Sequence, residues 1–167
     1  GSATAILDKS GTLTHITNNG TISATITATD DDGDGTTETI TGTATAIDVS
    51  ANTTGVTIAQ VDTAPDDDTI AAPYIYGNIK LGSGNDTISS SGGYIYGNID
   101  YGSGTGNFTL SDAATYVGKV TSSGDIAIDI DGESKAGFSL GSSLKTSTVH
   151  VGDGSTLALA LDTTSPT

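Results

Sequence analysis

The hexapeptide Tyr-Ile-Tyr-Gly-Asn-Ile occurs twice in the chain, at residues 74–79 and, letter for letter, at residues 94–99. A weaker third copy begins at Tyr116, and matching Gly118 to Gly97 gives an offset of about 21 residues after about 20 for the first pair. Self-similarity at a fixed period is the signature of a repeat architecture. The sequence therefore contains an internal repeat of about 20 residues.

This period favours one particular kind of repeat. It is too short for a propeller blade and fits one coil of a β-solenoid, in which short strands stack in parallel on those of the preceding coil. Equivalent residues then lie about 4.8 Å apart, and roughly eight coils would stand about 40 Å tall. The predicted stacked pairs are Tyr74 with Tyr94, Asn78 with Asn98, and Ile79 with Ile99, followed by Val120.

The composition supports an all-β protein. Leu, Ile, Val and Phe make up only 34 of 167 residues, and 5 Lys against 20 acidic residues give a net charge of −15. These two values together are typical of disorder. However, 18 of the acids are Asp, and Ile, Val and Thr supply 53 residues, a composition that suits short strands and tight turns. A narrow solenoid needs only about four inward apolar residues per coil.

The charge also excludes classes of partner. A strongly acidic surface repels phosphate backbones and anionic lipids, so neither nucleic acid nor membrane surface is expected to bind. No apolar run approaches the length of about 18 residues that a membrane-spanning helix needs, so we expect no direct membrane insertion. The Gly1-Ser2 start resembles a remnant of tag removal, and we expect the chain to be a piece of a larger protein.

The boundaries follow from the repeat. We predict one solenoid segment over residues 1–161, with the clearest repeats at 70–120 and more apolar coils at 120–161, and a linker at 162–167. Acidic stretches at 30–37 and 65–68 are predicted to be loops. The Asn18-Asn19-Gly20 turn lies between two stretches of alternating Ile and Thr or Ser. Because this turn also suits a hairpin, a β-sandwich remains the structural alternative.

Three stretches are similar to phrases in the passenger domains of bacterial autotransporters, namely residues 18–23, 44–50 and 149–157. The resemblance extends loosely over most of the chain. It implies a single-stranded right-handed parallel β-helix from the C-terminal part of a passenger, without the barrel. It also implies secretion to the bacterial cell surface, and that residues 120–161 are the apolar last coils that promote folding during secretion.

Two candidate calcium sites stand out. An acidic stretch matches the spacing of an EF-hand loop, although position 12 is Thr41 and no helices are predicted beside it. Its candidate ligands are Asp30, Asp32, Asp34, Thr36 and Glu38. Asp86 lies in a single copy of a sequence resembling the calcium-binding nonapeptide of repeats-in-toxin proteins, which normally occurs in tandem. The alternatives are a solvated acidic turn and a Gly-rich turn, respectively.

The tyrosines are the candidate partner-binding residues. All six lie between positions 74 and 116, and alternation in a strand points two neighbouring pairs to the same side. Stacking would gather Tyr74, Tyr76, Tyr94 and Tyr96 into an aromatic patch that contacts a partner or a glycan. The alternative is that these rings cover one side of the coil and stabilise the stack.

We therefore expect a non-catalytic structural and adhesive segment of a secreted bacterial surface protein, a rigid acidic β-solenoid for display, adhesion or self-association. Its expected partners are a host or neighbouring-cell surface, a glycan or a second copy. No cofactor is required, and Ca²⁺ is the one candidate. The alternatives are a calcium-dependent binding module and a polysaccharide-active β-helix. The enzyme alternative is weakened because the chain lacks Arg and Trp.

Overall fold

The structure, a computed structural model, describes residues 1–28, 33–36, 39, 41–67 and 69–160. Over these ranges the secondary structure consists of strands and turns without an α-helix. No helix in the described part is long and apolar enough to cross a membrane. The strands are β1 (Ala3–Leu7), β2 (His15–Asn18), β3 (Thr21–Ser23), β4 (Ala44–Asp48), β5 (Thr57–Val61), β6 (Tyr74–Tyr76), β7 (Asn78–Lys80), β8 (Asp86–Ser91), β9 (Tyr94–Tyr96), β10 (Ile99–Asp100), β11 (Gly106–Ser111), β12 (Thr115–Gly118), β13 (Val120–Ile130), β14 (Lys135–Phe138), β15 (Ser143–Lys145), β16 (Val149–Val151) and β17 (Thr156–Leu159).

The strands stack into three parallel ladders. Ladder A contains β1, β4, β7, β10, the first part of β13 and β15. Ladder B contains β2, β5, β8, β11, the second part of β13 and β16. Ladder C contains β3, β6, β9, β12, β14 and β17. Because β13 belongs to both A and B, these two ladders join into one curled sheet of 11 strands.

The described strands follow the order A, B, C six times along the chain, and we call each such passage a rung. From the third rung onward the repeat is short and regular, since Ile79 pairs with Ile99 and Ile99 with Val120. Tyr74 likewise pairs with Tyr94. The predictions of an all-β fold, of parallel stacking and of the repeat period are confirmed in this part of the chain.

The described residues form six rungs, fewer than the roughly eight expected from the repeat period. Within the described residues, the stretches 24–43 and 62–73 contribute no strand, so the first two rungs use far more chain than the later ones. This also explains why the part of the chain before Tyr74 repeats less clearly. At about 4.8 Å per step, six rungs span about 24 Å from first to last.

The β-sandwich alternative is not supported. A sandwich of this kind is built from antiparallel sheets, and every pairing between the described strands is parallel. The Asn18-Asn19-Gly20 turn lies between β2 and β3, which pair with strands of the next rung in different ladders. The turn therefore forms a corner and not a hairpin.

Identical or similar apolar residues stack inside the ladders, one per rung, because parallel pairing in register places equivalent residues on top of each other. Ladder B provides one such column, which is Ile16, Ile58, Ile88, Phe108 and Ile128. All five side chains are buried. A small number of inward residues per rung therefore suffices to form a continuous core, as the low apolar content predicts.

Part of the interior is polar in the first three rungs. At the corner between ladders B and C, the Asn18 amide donates to Gln60 Oε1 (3.0 Å), and the Gln60 amide donates to Ser90 Oγ (3.0 Å). Ser90 in turn donates to the Gly92 carbonyl oxygen (2.8 Å). Buried polar groups are tolerated here because each finds a partner within the stack. In later rungs the same column continues as Leu110 and Ile130.

The sixth rung is the most exposed. Val149, Val151 and Leu159 are exposed, and no described strand stacks beyond them. Over residues 120–160, the strands of the fifth rung bury their apolar side chains, whereas those of the sixth rung lie largely at the surface.

An exposed ion pair joins the last two rungs in ladder B. His150 Nδ1 lies 2.7 Å from Asp129 Oδ1, and this hydrogen bond and the charge of Asp129 raise the pKa of His150 above its ordinary value. Stabilisation by the pair is therefore complete below the ordinary histidine pKa and is lost as pH rises through the raised value. We expect Asp129→Asn to lower the His150 pKa in an NMR titration, whereas the control Asp100→Asn in ladder A leaves it unchanged. An unaltered His150 titration in the first variant would contradict the pairing.

Candidate functional site

Four tyrosines form a cluster on the outer face of ladder C, which we call the tyrosine platform. Its members are Tyr74, Tyr76, Tyr94 and Tyr96. Alternation creates it, because Ile75 and Ile95 between them point inward and are fully buried. Parallel pairing in register then places the second pair of rings on the first.

The rings of the platform form two stacked pairs, one in each strand. Within each strand the two ring centroids are 6.1 Å apart, with planes inclined by 19° in β6 and 14° in β9. Between the strands, Tyr74 lies 6.0 Å from Tyr94 and 5.6 Å from Tyr96. Tyr76 and Tyr94 are the most exposed rings, at 45% and 42%. Within each strand the two rings are therefore stacked with nearly parallel planes, and Tyr76 and Tyr94 are the more exposed members of the two pairs.

The phenol groups of the platform are available for hydrogen bonding. Within the described residues, none of the four hydroxyls has a hydrogen-bond partner, whereas buried Tyr101 and Tyr116 donate to the carbonyl oxygens of Asn107 (2.9 Å) and Lys119 (3.2 Å). Burial and the neighbouring tyrosines raise the pKa of Tyr74 above its usual value, so its hydroxyl keeps its proton at neutral pH. The platform can thus both stack against a ligand and donate to it.

Tyr101 and Tyr116, the two tyrosines outside the predicted patch, lie apart from the platform. Both are fully buried, and burial raises the pKa of each phenol well above its ordinary value. Tyr116 pairs with Ile95 and therefore takes an inward position, while the outward position goes to Val117. The register given by Gly97 and Gly118 could have revealed this, because it aligns Tyr116 with an isoleucine and not with a tyrosine.

The outer face of ladder C carries little charge, although the chain as a whole is strongly acidic. The outward residues below and above the platform are Thr21, Ser23, Thr115, Val117, Lys135, Gly137, Thr156 and Ala158. None is a carboxylate, and Lys135 is the one charged side chain among them. The platform therefore lies on a locally neutral face of a protein with a charge of −15.

A groove of about 600 Å³ runs along the corner between ladders C and A, which we call the glycine groove. Tyr76 and Tyr96 line one side and Asn78 lies beside them, while Gly77 and Gly97 leave the backbone uncovered. A Cβ on Gly97 would collide with the Gly77 carbonyl oxygen, so these positions require glycine. The Oδ1 atoms of Asn78 and Asn98 accept from the backbone N–H of the following rung, each at 3.0 Å.

A second groove, of about 460 Å³, lies at the corner between ladders B and C on the opposite side of the platform, and we call it the aspartate groove. Tyr94 borders it together with Asp62, Asp67 and Asp112. One oxygen of each carboxylate accepts a local hydrogen bond. Asp62 accepts from Ala64 N (3.0 Å), Asp67 from Thr69 N (3.0 Å), and Asp112 from Ser91 Oγ (2.6 Å). The platform is therefore flanked by polar groups on both sides.

The EF-hand-like loop lies mostly outside the described residues. This applies to Asp30, Asp32 and Glu38. Of the other two predicted ligands, Asp34 Oδ1 accepts from the Thr36 backbone N–H (2.8 Å) and hydroxyl (2.6 Å), and these bonds lower the pKa of Asp34. Calcium binding by this loop stays a prediction. The described residues contain no group of three or more His, Asp or Glu placed to hold a metal ion.

Asp86, the other predicted metal ligand, points into the interior at the start of β8. It is fully buried, its Oδ1 accepts from Val56 N at 2.8 Å, and its Oδ2 has no partner among the described residues. The residue stacked on it in the next rung is Gly106, and a Cβ there would contact the ring of Tyr101. Burial raises the pKa of Asp86, and hydrogen bonds from the Val56 and Gly82 backbone partly offset this rise.

The raised pKa of Asp86 gives a testable pH dependence. The folded state holds its proton more tightly than the unfolded chain, so wild-type stability falls as pH rises from the ordinary aspartate value through the raised one. The variant Asp86→Asn keeps an oxygen for Val56 N and carries no charge. We expect its free energy of unfolding, relative to wild type, to increase between pH 3.5 and pH 7 in urea titrations.

Asp67→Asn provides the control for this experiment. Hydrogen bonds from Thr69 lower the pKa of the exposed Asp67, so removing its charge should shift relative stability in the opposite direction as pH rises. Equal pH profiles for both variants would contradict the assignment of Asp86 as a destabilising buried charge.

Comparison of the chain with protein-family models, curated proteins and solved structures finds no match in any of the three.

Proposed function

We propose that the chain is a non-catalytic structural and adhesive segment of a secreted bacterial surface protein, and that the tyrosine platform is its contact surface. The observation that carries this proposal is the regular stacking of rungs three to five, in which strands of all three ladders pair in parallel between residues 78 and 138. Such a stack is rigid because each rung hydrogen-bonds to the next along three ladders. The negative charge keeps it soluble and separate from other acidic surfaces.

We further propose that the stacked ladders form a right-handed parallel β-helix of the autotransporter passenger type. Parallel crossover connections are almost always right-handed, which supports this choice of hand. The phrases at residues 18–23, 44–50 and 149–157 support the family. The platform supports an adhesive role because its exposed rings carry hydroxyls without a partner among the described residues, which a purely structural covering does not require.

Bead adhesion combined with proteolysis tests this proposal. Microspheres coated with the chain through an engineered C-terminal cysteine are expected to adhere to cells or to each other. Thermolysin is expected to cut first in the connections at 24–43 and 62–73 and to spare residues 74–138. Rapid cleavage throughout 74–138 would contradict the rigid stack, and failure of coated beads to adhere to any cell or to one another would contradict the adhesive role.

The same preparation separates the alternatives. A melting temperature that falls when EDTA is added would favour the calcium-dependent module over our proposal. Release of reducing ends from polysaccharides would favour the enzyme, and would contradict a non-catalytic segment. We expect an unchanged melting temperature and no release.

A further inference from the structure

We propose that the tyrosine platform and its two grooves form a binding site for an uncharged oligosaccharide, which crosses ladder C along β6 and β9. This inference deepens the proposed adhesive role and rests on it. Tyr76 and Tyr94, the exposed members of the two stacked pairs, supply aromatic faces beside the grooves, and the grooves supply acceptors and donors for the sugar hydroxyls.

The first argument is the shape of the aromatic surface. Tyr76 and Tyr94 expose 45% and 42% of their surface, and the ring planes within each strand are inclined by only 19° and 14°. Stacking on aromatic side chains requires a flat, accessible face. A compact cation is instead held over ring faces that desolvate it. Since the rings of each strand are stacked on one another, the accessible ring surface belongs mainly to Tyr76, which borders the glycine groove, and to Tyr94, which borders the aspartate groove. A single accessible face favours a flat ligand ring over an ammonium group.

The second argument is the hydrogen-bonding inventory. Four phenol hydroxyls without protein partners among the described residues can donate and accept, and the Nδ2 of Asn78 makes no hydrogen bond within the same part of the chain. On the other side, Asp62, Asp67 and Asp112 supply acceptors only. A ligand with many O–H groups along its edge and C–H groups on its face can bond to the tyrosine hydroxyls and Asn78 on one side and to the aspartate acceptors on the other. Carbohydrate is the ligand class with this chemistry.

The third argument is charge. The four platform rings are uncharged and no outward residue of ladder C is a carboxylate, whereas the aspartate groove beside Tyr94 contains three. An anionic glycan would be repelled by this groove and by the net charge of −15. The ligand is therefore an uncharged sugar polymer and not a uronic acid or sulfated one.

The fourth argument is size. A specific protein partner covers about 800 Å² on each side, with a closely packed apolar centre. The platform has four rings, and Tyr74 and Tyr96 are only partly exposed. The platform spans a strand of 3 residues, about 10 Å, between two corners that each carry a groove, which suits a short oligosaccharide better than a protein.

Affinity electrophoresis tests this inference directly. Native gels would contain hydroxyethyl cellulose, mixed-linkage β-glucan, galactomannan or dextran as uncharged probes, through which the acidic chain migrates. We expect at least one polysaccharide to retard the wild type. The double variant with Tyr76→Ala and Tyr94→Ala should bind about tenfold or more weakly, because each stacked ring contributes appreciably to binding. Neither substitution changes the charge, so mobility in the plain gel provides an internal reference.

The matched control is Leu159→Ala, which removes an exposed apolar side chain from the sixth rung of the same ladder. It should be retarded like the wild type. If the double variant folds poorly, the wild-type protein is used instead. The NMR signals of its tyrosine rings are followed while a soluble oligosaccharide is added, taken from the polysaccharide that retards the protein in the gel. The Tyr76 and Tyr94 signals should shift, while that of buried Tyr101 should not.

Three results would overturn the inference. They are the absence of retardation by all four polysaccharides, equal retardation of wild type and the double variant, and tighter binding of benzyltrimethylammonium than of any neutral sugar. Thermolysin resistance of residues 74–138 in the same samples distinguishes the two levels of the proposal. If the chain resists thermolysin but binds none of the polysaccharides, the proposed structural role is retained and only the proposed carbohydrate site is contradicted.

Discussion

The variant Gly104→Ala is expected to lower the free energy of unfolding by about 2–4 kcal/mol, although it adds a single methyl group. A Cβ at this position would collide with the Gly84 carbonyl oxygen, at a distance that real Cβ atoms do not reach. Gly124 continues the column, since its own Cβ would collide with the Gly104 carbonyl oxygen. The obstacle is backbone, which cannot rotate away as a side chain can, so the rungs must separate.

Gly137→Ala is the matched control for this prediction. Gly137 also lies in a stacked strand, but its Cβ would meet only ordinary contacts, the nearest at 3.8 Å from the Tyr116 carbonyl oxygen. Alanine there should be neutral or stabilising by up to about 1 kcal/mol, because it restricts the unfolded chain. Urea unfolding of both variants provides the measurement. Equal losses of stability would show that strand propensity, and not the contact between rungs, determines the effect.

The repeat made much of this architecture predictable from sequence. An exact match between two hexapeptides implied that equivalent residues stack, and Tyr74 with Tyr94 and Ile79 with Ile99 do so. The inward and outward sides of those strands followed from alternation alone. These inferences succeeded because parallel stacking in register makes the position of a residue in the repeat equivalent to its position in space.

The number of rungs and the two grooves could not be predicted in the same way. Insertions at 24–43 and 62–73 have no counterpart in the other rungs, so counting residues overestimates the rungs. The aspartate groove joins Asp62 and Asp67 from one insertion to Asp112 two rungs later. Nothing in the local sequence indicates this proximity, because it depends on where the insertion folds back onto the stack. The burial of polar residues such as Gln60 could not be predicted for a related reason, because their hydrogen-bond partners are distant in the sequence.

The variant Phe108→Ala should cause the largest loss from the core, about 3–5 kcal/mol. Phe108 is 1% exposed, and its ring lies 5.1 Å from that of Tyr116 and 6.2 Å from that of Phe138, in edge-on or tilted arrangements. Ile88 and Ile128 stack on either side of it in ladder B. These neighbours belong to strands fixed by hydrogen bonds, so they cannot close the cavity that truncation would leave.

The control for Phe108→Ala is Val117→Ala, which shortens a side chain that is 41% exposed in the same rung. It should change stability by no more than about 0.5 kcal/mol. In a stack whose rungs contact only their neighbours, weakening the fourth rung also weakens the coupling between the two halves. We therefore expect the Phe108 variant to unfold in urea over a broader transition, with probes in the third and fifth rungs that no longer coincide. A sharp, coincident transition with a small loss of stability would mean that the aromatic cluster does not hold the stack together, and that backbone pairing alone does.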